Sequence, residues 1–301
     1  LATSPATPKW SGKSKGSPLG YRFFIFVIRT FGVPTAYFFL AFVVPWYVLT
    51  SRTSNKALDV YFARLRKAVP GIKGLSYFGS YMAMGRNIID KVAVQAGLEE
   101  RFKWAKINGQ GVAEMIAAHK GGLLLSSHVG NWEFASHFLK GHPGKVSIVL
   151  LTAEDERIKQ VMESELSPAS FDMIPLSKDM SHVFRMNNAL MDGHVLCMHG
   201  DRNLPGSRVR VAKFLGEDAY FPAGPFALAQ AHKVPVCISF VIRTGPMSYS
   251  FFATDPIPAG SSGDEVFAVF VQEFEAIVKK YPLQWFNYYD FWQHDTTTGK
   301  R

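Results

Sequence analysis

Gly122-Leu123-Leu124-Leu125-Ser126-Ser127-His128-Val129-Gly130-Asn131-Trp132-Glu133 passes from strand to turn to helix within one short stretch. The apolar run reads as a buried strand, and His128 stands just beyond its carboxyl end. Glu133 follows five positions after His128. On a continuous helix the two side chains would be turned about 140° from each other, given ~3.6 residues per turn. They can share a site only if the backbone breaks between them, and Gly130 is the residue that permits a break. Asn131 is the expected N-cap, which places Glu133 in a first helical turn where the helix dipole favours negative charge. A histidine oriented by a carboxylate is a general base, and the carboxyl edge of a sheet is where open α/β folds build sites.

Outward from this stretch, strand and helix alternate. Strand-like runs are Leu123–Ser126, Val146–Leu151, Phe171–Pro175, Val195–Met198, Val234–Ile242 and Tyr249–Ala253. Between them, helical stretches are Asn131–Leu139, Asp155–Ser164, Met180–Met191 and Phe226–Lys233. The expected fold class is α/β, with a central mostly parallel sheet flanked by helices. Arg208–Phe221 has short alternating pieces around Gly216 and reads as a hairpin or loop excursion. Asp264–Lys280 repeats apolar residues at helical spacing and reads as a packing helix without chemistry.

The N-terminal part has a different character. Residues 1–20 are polar and basic and read as a flexible tail. Residues 21–55 read as a membrane-associated helical segment, and 56–301 as the α/β domain, which begins with helix interrupted at Gly71 and Gly74. From Phe31 to Leu49 there is no charged residue. As a helix that run would be ~28 Å long, about the thickness of a bilayer core. Pro34 and Pro45 argue against a straight helix, and basic residues flank both ends, so charge gives no orientation. A helix lying in one leaflet fits at least as well as a span, with a buried core helix as the alternative. A cleavable signal peptide is not expected, because the apolar run is too long and lacks a small-residue cleavage site.

The formal net charge of +9 suits an anionic partner. A recognisable nucleic-acid motif is missing, so a membrane surface is expected and nucleic acid is not. Cys197 and Cys237 sit inside strand-like runs and imply no disulfide framework. His194 and His199, five apart on one strand, point to opposite faces and lack companions at ligand spacing, so no metal site is expected. Gly12-Lys13-Ser14-Lys15-Gly16 matches a nucleophile-elbow pattern but follows no strand, and no nucleotide-binding fingerprint is present. A cofactor is therefore not expected.

Two further clusters carry chemistry. His199-Gly200-Asp201-Arg202 follows the strand at 195–198 and supplies site residues if that strand lies beside the one carrying His128. Arg202 suits a carboxylate, a phosphate or an oxyanion, and Asp201 either orients Arg202 or meets an acceptor. Phe221-Pro222-Ala223-Gly224-Pro225 opens a helix whose free N–H groups suit an anion, or is an ordinary helix start with proline.

In this order the clusters resemble the lysophospholipid-acyltransferase-like superfamily. The likeness is strongest to the lipid A biosynthesis lauroyl/myristoyl acyltransferases, in a bacterial subgroup of predicted acyltransferases. It rests on His128-Val129-Gly130-Asn131-Trp132-Glu133 as an H-x4-(D/E) signature and on Tyr281-Pro282-Leu283-Gln284-Trp285-Phe286 as a P-x-Q-W-F ending. Trp10-Ser11-Gly12-Lys13-Ser14 and Tyr288-Tyr289-Asp290-Phe291-Trp292 add to it. Where the glycerolipid branch has E-G-T-R, this chain has Ala223-Gly224-Pro225-Phe226. Where the lipid A branch commonly has an arginine, it reads Leu151-Thr152-Ala153-Glu154.

The resemblance implies transfer of a fatty acyl group from a thioester, on acyl carrier protein or coenzyme A, to a hydroxyl or amine of a lipid. The place implied is the cytoplasmic face of the cell inner membrane. His128 and Glu133 are the implied catalytic pair. Asn131, Trp132, Asp201, Arg202 and Gly224 are the candidates for substrate binding or for holding the oxyanion. The rival readings are a non-catalytic lipid-binding protein and a membrane-surface thioesterase or lipid hydrolase on the same fold.

Overall fold

Leu123, Leu124 and Leu125 project alternately to the two faces of a sheet, and both faces are covered. Leu123 and Leu125 join one apolar cluster, whereas Leu124 joins a second on the opposite side. A strand buried on both faces must be apolar at every position, which is why this segment reads as a run and not as an alternation. The computed structural model of the protein describes residues 18–139, 146–150, 171–177, 179–203 and 206–293. The expected helix at 155–164, the segment 151–154 and most of the N-terminal tail lie outside the described residues.

The central strand is β2 (Gly122–Ser126). Around it stand β1 (Lys103–Ile107), β3 (Val146–Leu150), β4 (Asp172–Pro175), β5 (Val195–His199), β8 (Val236–Gly245) and β9 (Ser248–Ala253) in the order β1-β9-β8-β2-β5-β3-β4. Every neighbouring pair is parallel except β8 and β9, which form an antiparallel hairpin. The sheet is thus mostly parallel, as expected. Strand β1 was not legible, because Lys-Trp-Ala-Lys-Ile is largely exposed and holds the edge by backbone pairing with β9 and by the single Trp104 ring packed on Tyr249 and Phe134. β6 (Val209–Phe214) and β7 (Glu217–Pro222) form a separate hairpin turning at Leu215-Gly216, both with positive φ.

Helices cover both faces. The first cluster takes in α3 (Arg52–Ala68), α7 (Ser181–Met191), α8 (Gly224–His232) and α9 (Gly263–Lys280). A reciprocal Ser262–Glu265 capping box starts α9, whose Val266, Phe270, Phe274 and Val278 are buried. The second cluster takes in α1 (Pro18–Phe31), α2 (Val33–Thr50), α4 (Tyr77–Ala93), α5 (Gln110–Ala117) and α6 (Ala135–Leu139). Neither proline divides the N-terminal apolar segment. Gly32 does, at φ 84°, while Pro34 occupies the first turn of α2, where a missing N–H costs nothing.

α2 has two unlike faces. Val33, Ala36, Leu40 and Val44 are buried, and Leu40 sits over Gly85 of α4, where a Cβ would come within 2.5 Å of its side chain. Phe38, Phe42, Trp46 and Leu49 on the other side are 60–75% exposed. With Phe26 and Phe31 of α1 they form an exposed apolar surface.

Candidate active site

β2 and β5 run side by side in parallel, with Ser126 opposite His199. Their carboxyl ends bring His128 and Asp201 to the same edge of the sheet. Asp201 accepts from His128 twice: Oδ1 lies 2.8 Å from Nδ1, and Oδ2 lies 3.1 Å from the backbone N. The Asp201 carboxylate is 1% exposed and the imidazole 21%. This contact fixes a role that the sequence left open between orienting Arg202 and meeting an acceptor. Asp201 orients His128.

The turn after His128 is held from several directions. Gly130 has φ 66°, and a Cβ there would lie 2.1 Å from the carbonyl oxygen of Val241. Only glycine fits. Gly130 N donates to Gln284 O and Asn131 N to Val241 O, both at 2.8 Å. These two N–H groups are therefore committed to the scaffold. The segment Pro282–Phe286 supplies much of the clamp. Phe286 N donates to His128 O at 3.2 Å, the Gln284 side chain brackets the Arg243 backbone, and Trp285 is buried among Tyr61, Phe274 and Phe291.

Asn131 differs from expectation. Its side chain does not cap the following helix, but donates to the backbone carbonyl of Asn87 on α4 at 3.2 Å. A 3-10 turn, Trp132–Phe134, precedes α6 and carries Glu133. The Glu133 carboxylate meets Lys91 Nζ of α4, at 2.9 Å to Oε1 and 2.7 Å to Oε2. Trp132 packs edge-on against His199, whose ring stands 4.1 Å from that of His128.

Arg202 donates to Phe286 O at 2.9 Å and lies over the Tyr289 ring. Gly224 opens α8 at an exposed position after the β6–β7 hairpin.

Electrostatics fit a neutral histidine beside an ionised aspartate. Burial, reinforced by Arg202, lowers the pKa of His128 below 6.5, against the opposing pull of Asp201. Burial alone would raise Asp201, yet His128, Arg202 and His199 hold it well below the usual carboxylate range. Burial pushes the Cys197 and Cys237 thiols up to about 12, so neither is a ready nucleophile. His199 Nδ1 lies 3.0 and 3.2 Å from the two ring nitrogens of His128. Ligand-type atoms of His128, His199 and Asp201 all fall within 4.8 Å of one another. Sequence spacing missed this group because its members come from two strands. Arg202 adds a positive charge that opposes a divalent cation there.

A family model described as bacterial lipid A biosynthesis acyltransferase matches residues 23–294. The chain belongs to that family. A phosphatidylinositol mannoside acyltransferase of Mycobacterium tuberculosis is 30% identical over 115 residues, covering 38% of this chain and 36% of the relative. The protein of the same name from Mycolicibacterium smegmatis is 26% identical over 199 residues, covering 62% and 61%. The chain thus spans between about a third and three fifths of the relatives it matches. A crystal structure of the 1-acyl-sn-glycerophosphate acyltransferase of Thermotoga maritima aligns with 90% of this chain and 98% of its own, at 11% identity and a TM-score of 0.39.

In this family member a small apolar cleft opens beside the site, lined by Leu124, Trp132, Ile148, Met198, His199 and Phe240 among others. Periodicity could not reveal it, because its walls come from β2, β3, β5 and β8 and from the turn after His128. Asn87 and Lys91 escaped notice for the same reason. The only local signal was polar residues at 87, 90 and 91, spaced along one face of a partly apolar helix.

Proposed function

We propose that the protein transfers a fatty acyl group from an acyl thioester, on acyl carrier protein or coenzyme A, to a hydroxyl or amine of a membrane lipid. The observation that carries this reading is the His128–Asp201 pair at the carboxyl edge of the sheet, next to an apolar cleft. With Nδ1–H donated to Asp201, the Nε2 lone pair is the base. It takes the proton of the acceptor as that oxygen or nitrogen attacks the thioester carbonyl. The imidazolium that forms is stabilised by Asp201, with Glu133 of the H-x4-E signature as the second carboxylate. The role assigned to the guanidinium of Arg202 is to stabilise the developing oxyanion. The thiolate leaves with the proton returned from His128, so no acyl-enzyme is required. The cleft receives the acyl chain.

The choice of acceptor is supported by the relatives, whose names specify a phosphatidylinositol mannoside. A sugar hydroxyl of a glycolipid is the first acceptor to test, ahead of lipid A precursors and aminoacyl lipids. Attachment is proposed to be in one leaflet. α2 is apolar and long enough to cross a bilayer. Its buried face, however, is fixed to α4, which carries Arg86, Asp90 and Lys91. A crossing α2 would drag those charges into hydrocarbon. Lying in the interface, it buries Phe38, Phe42 and Trp46 in lipid and leaves α4 in water, at the cytoplasmic face of the inner membrane.

The test is mass spectrometry of lipids after incubation of the protein with lauroyl-coenzyme A, or with lauroyl-acyl carrier protein, and mixed bacterial lipids. Acylated lipid is expected, and His128→Ala should abolish it. Activity of that variant within tenfold of wild type would overturn the base assignment. Free fatty acid without acylated lipid would favour a hydrolase.

A further inference from the structure

Helix α4 turns three polar side chains toward the site, and each reaches a different part of the molecule. Asn87 Nδ2 donates to Gly130 O at 2.8 Å, while the Asn87 carbonyl receives the side chain of Asn131. Lys91 Nζ holds the Glu133 carboxylate at 2.7 Å. Between them Asp90, fully buried, accepts from Tyr249 at 2.5 Å and from Arg243 Nε at 3.3 Å, and also meets the Tyr37 hydroxyl of α2.

We propose that Asn87 and Lys91 are positioning residues for the acyl-transfer step, holding the Gly130–Asn131 peptide and the Glu133 carboxylate where His128 needs them. This rests on the reading of His128 as the base. The peptide after Gly130 is gripped on both sides, its carbonyl by Asn87 and its N–H by Val241 O. Glycine has little conformational preference of its own, so the orientation of this peptide comes from those two bonds. Everything carried by the next turn, Trp132 and Glu133 included, follows that orientation. The Lys91–Glu133 pair is 24% and 30% exposed, and a pair so exposed adds little to stability. Its contribution is the direction in which Glu133 points. A displacement of about 1 Å at such a group costs roughly 100-fold in rate. Asp90 anchors the same helix to α2, so the lipid-facing element and the catalytic turn move as one body.

The experiment compares Asn87→Asp, Lys91→Met and Lys91→Arg with wild type. Thiol release from lauroyl-coenzyme A over mixed phospholipid vesicles gives kcat and KM. Hydrogen–deuterium exchange reads the peptide spanning 128–134. Asn87→Asp keeps the size of the side chain but cannot donate to Gly130. The expected result is a fall in kcat of about 10- to 100-fold for Asn87→Asp and Lys91→Met, with KM within threefold. Lys91→Arg should retain most of the rate. Exchange at 128–134 should rise in Asn87→Asp, with α9 unchanged. A kcat within threefold of wild type in both variants overturns the proposal, as does unchanged exchange at the turn. Should His128→Ala stay active, the base reading fails, and the exchange result still judges the positioning.

Discussion

His128 and Asp201 are 73 positions apart in the chain and meet twice, once through the ring and once through the backbone. The double contact ties ring orientation to main-chain position, so the imidazole cannot rotate without losing its buried partner. A buried carboxylate placed on Nδ1 also selects the tautomer whose Nε2 carries the lone pair that accepts a proton. Replacing Asp201 by Asn keeps the shape, removes the charge and permits the wrong tautomer. The expected loss in kcat is about 100- to 10,000-fold with folding intact, read by steady-state kinetics and circular dichroism.

The lowered pKa of His128 has a definite sign. The base works when neutral, so kcat/KM is full at neutral pH and falls only as pH drops through a value below 6.5. An acid limb centred at or above 6.5 would contradict the burial that lowers it. Stability moves the same way. His128 and His199 both resist protonation in the fold, whereas the unfolded chain takes up protons near 6.5. Stability is therefore expected to decline as pH falls below that value. Urea midpoints at pH 7 and pH 5 measure it, and His199→Gln should narrow the difference between them.

Gly130→Ala combines left-handed strain with a Cβ 2.1 Å from the Val241 carbonyl oxygen, a backbone atom that cannot step aside. A loss of roughly 3 kcal/mol is expected, with activity abolished. Urea unfolding of the purified variant checks it.

Membrane attachment is tested on the exposed face of α2. Changing Phe38, Phe42 and Trp46 together to Ser removes three large side chains that are 60–67% exposed and lie outside the buried core. Each contributes about 1.5–3 kcal/mol when fully buried in lipid. Vesicle flotation is expected to show at least 100-fold weaker binding with an unchanged melting temperature. Undiminished binding would refute the in-plane attachment.

Asp90→Ala leaves the Arg243 guanidinium, 16% exposed, without its buried carboxylate. Breaking a buried pair from one side costs about 3–5 kcal/mol. Thermal unfolding of that variant should show a large loss, accompanied by release of α2 to limited proteolysis.

What could be read from the chain itself was whatever local pattern governs. The leucine run at 123–125 made a doubly covered strand, because a central parallel strand tolerates no polar face. Phe31–Leu49 announced an apolar helix, and the glycine between His128 and Glu133 announced a turn, since only there could the backbone reverse its sign of φ. What tertiary structure alone decided is which groups meet. The carboxylate on His128 Nδ1 comes from the end of β5, brought alongside by parallel pairing with β2. Lys91, the partner of Glu133, comes from α4, brought there by the packing of α2 beneath it. β1 likewise exists because β9 offers it a backbone edge and a Tyr249 ring for Trp104, neither of which its own five residues announce. Strand and helix follow from periodicities of a few residues, whereas a site is assembled by contacts between segments far apart in sequence, and no local spacing encodes those.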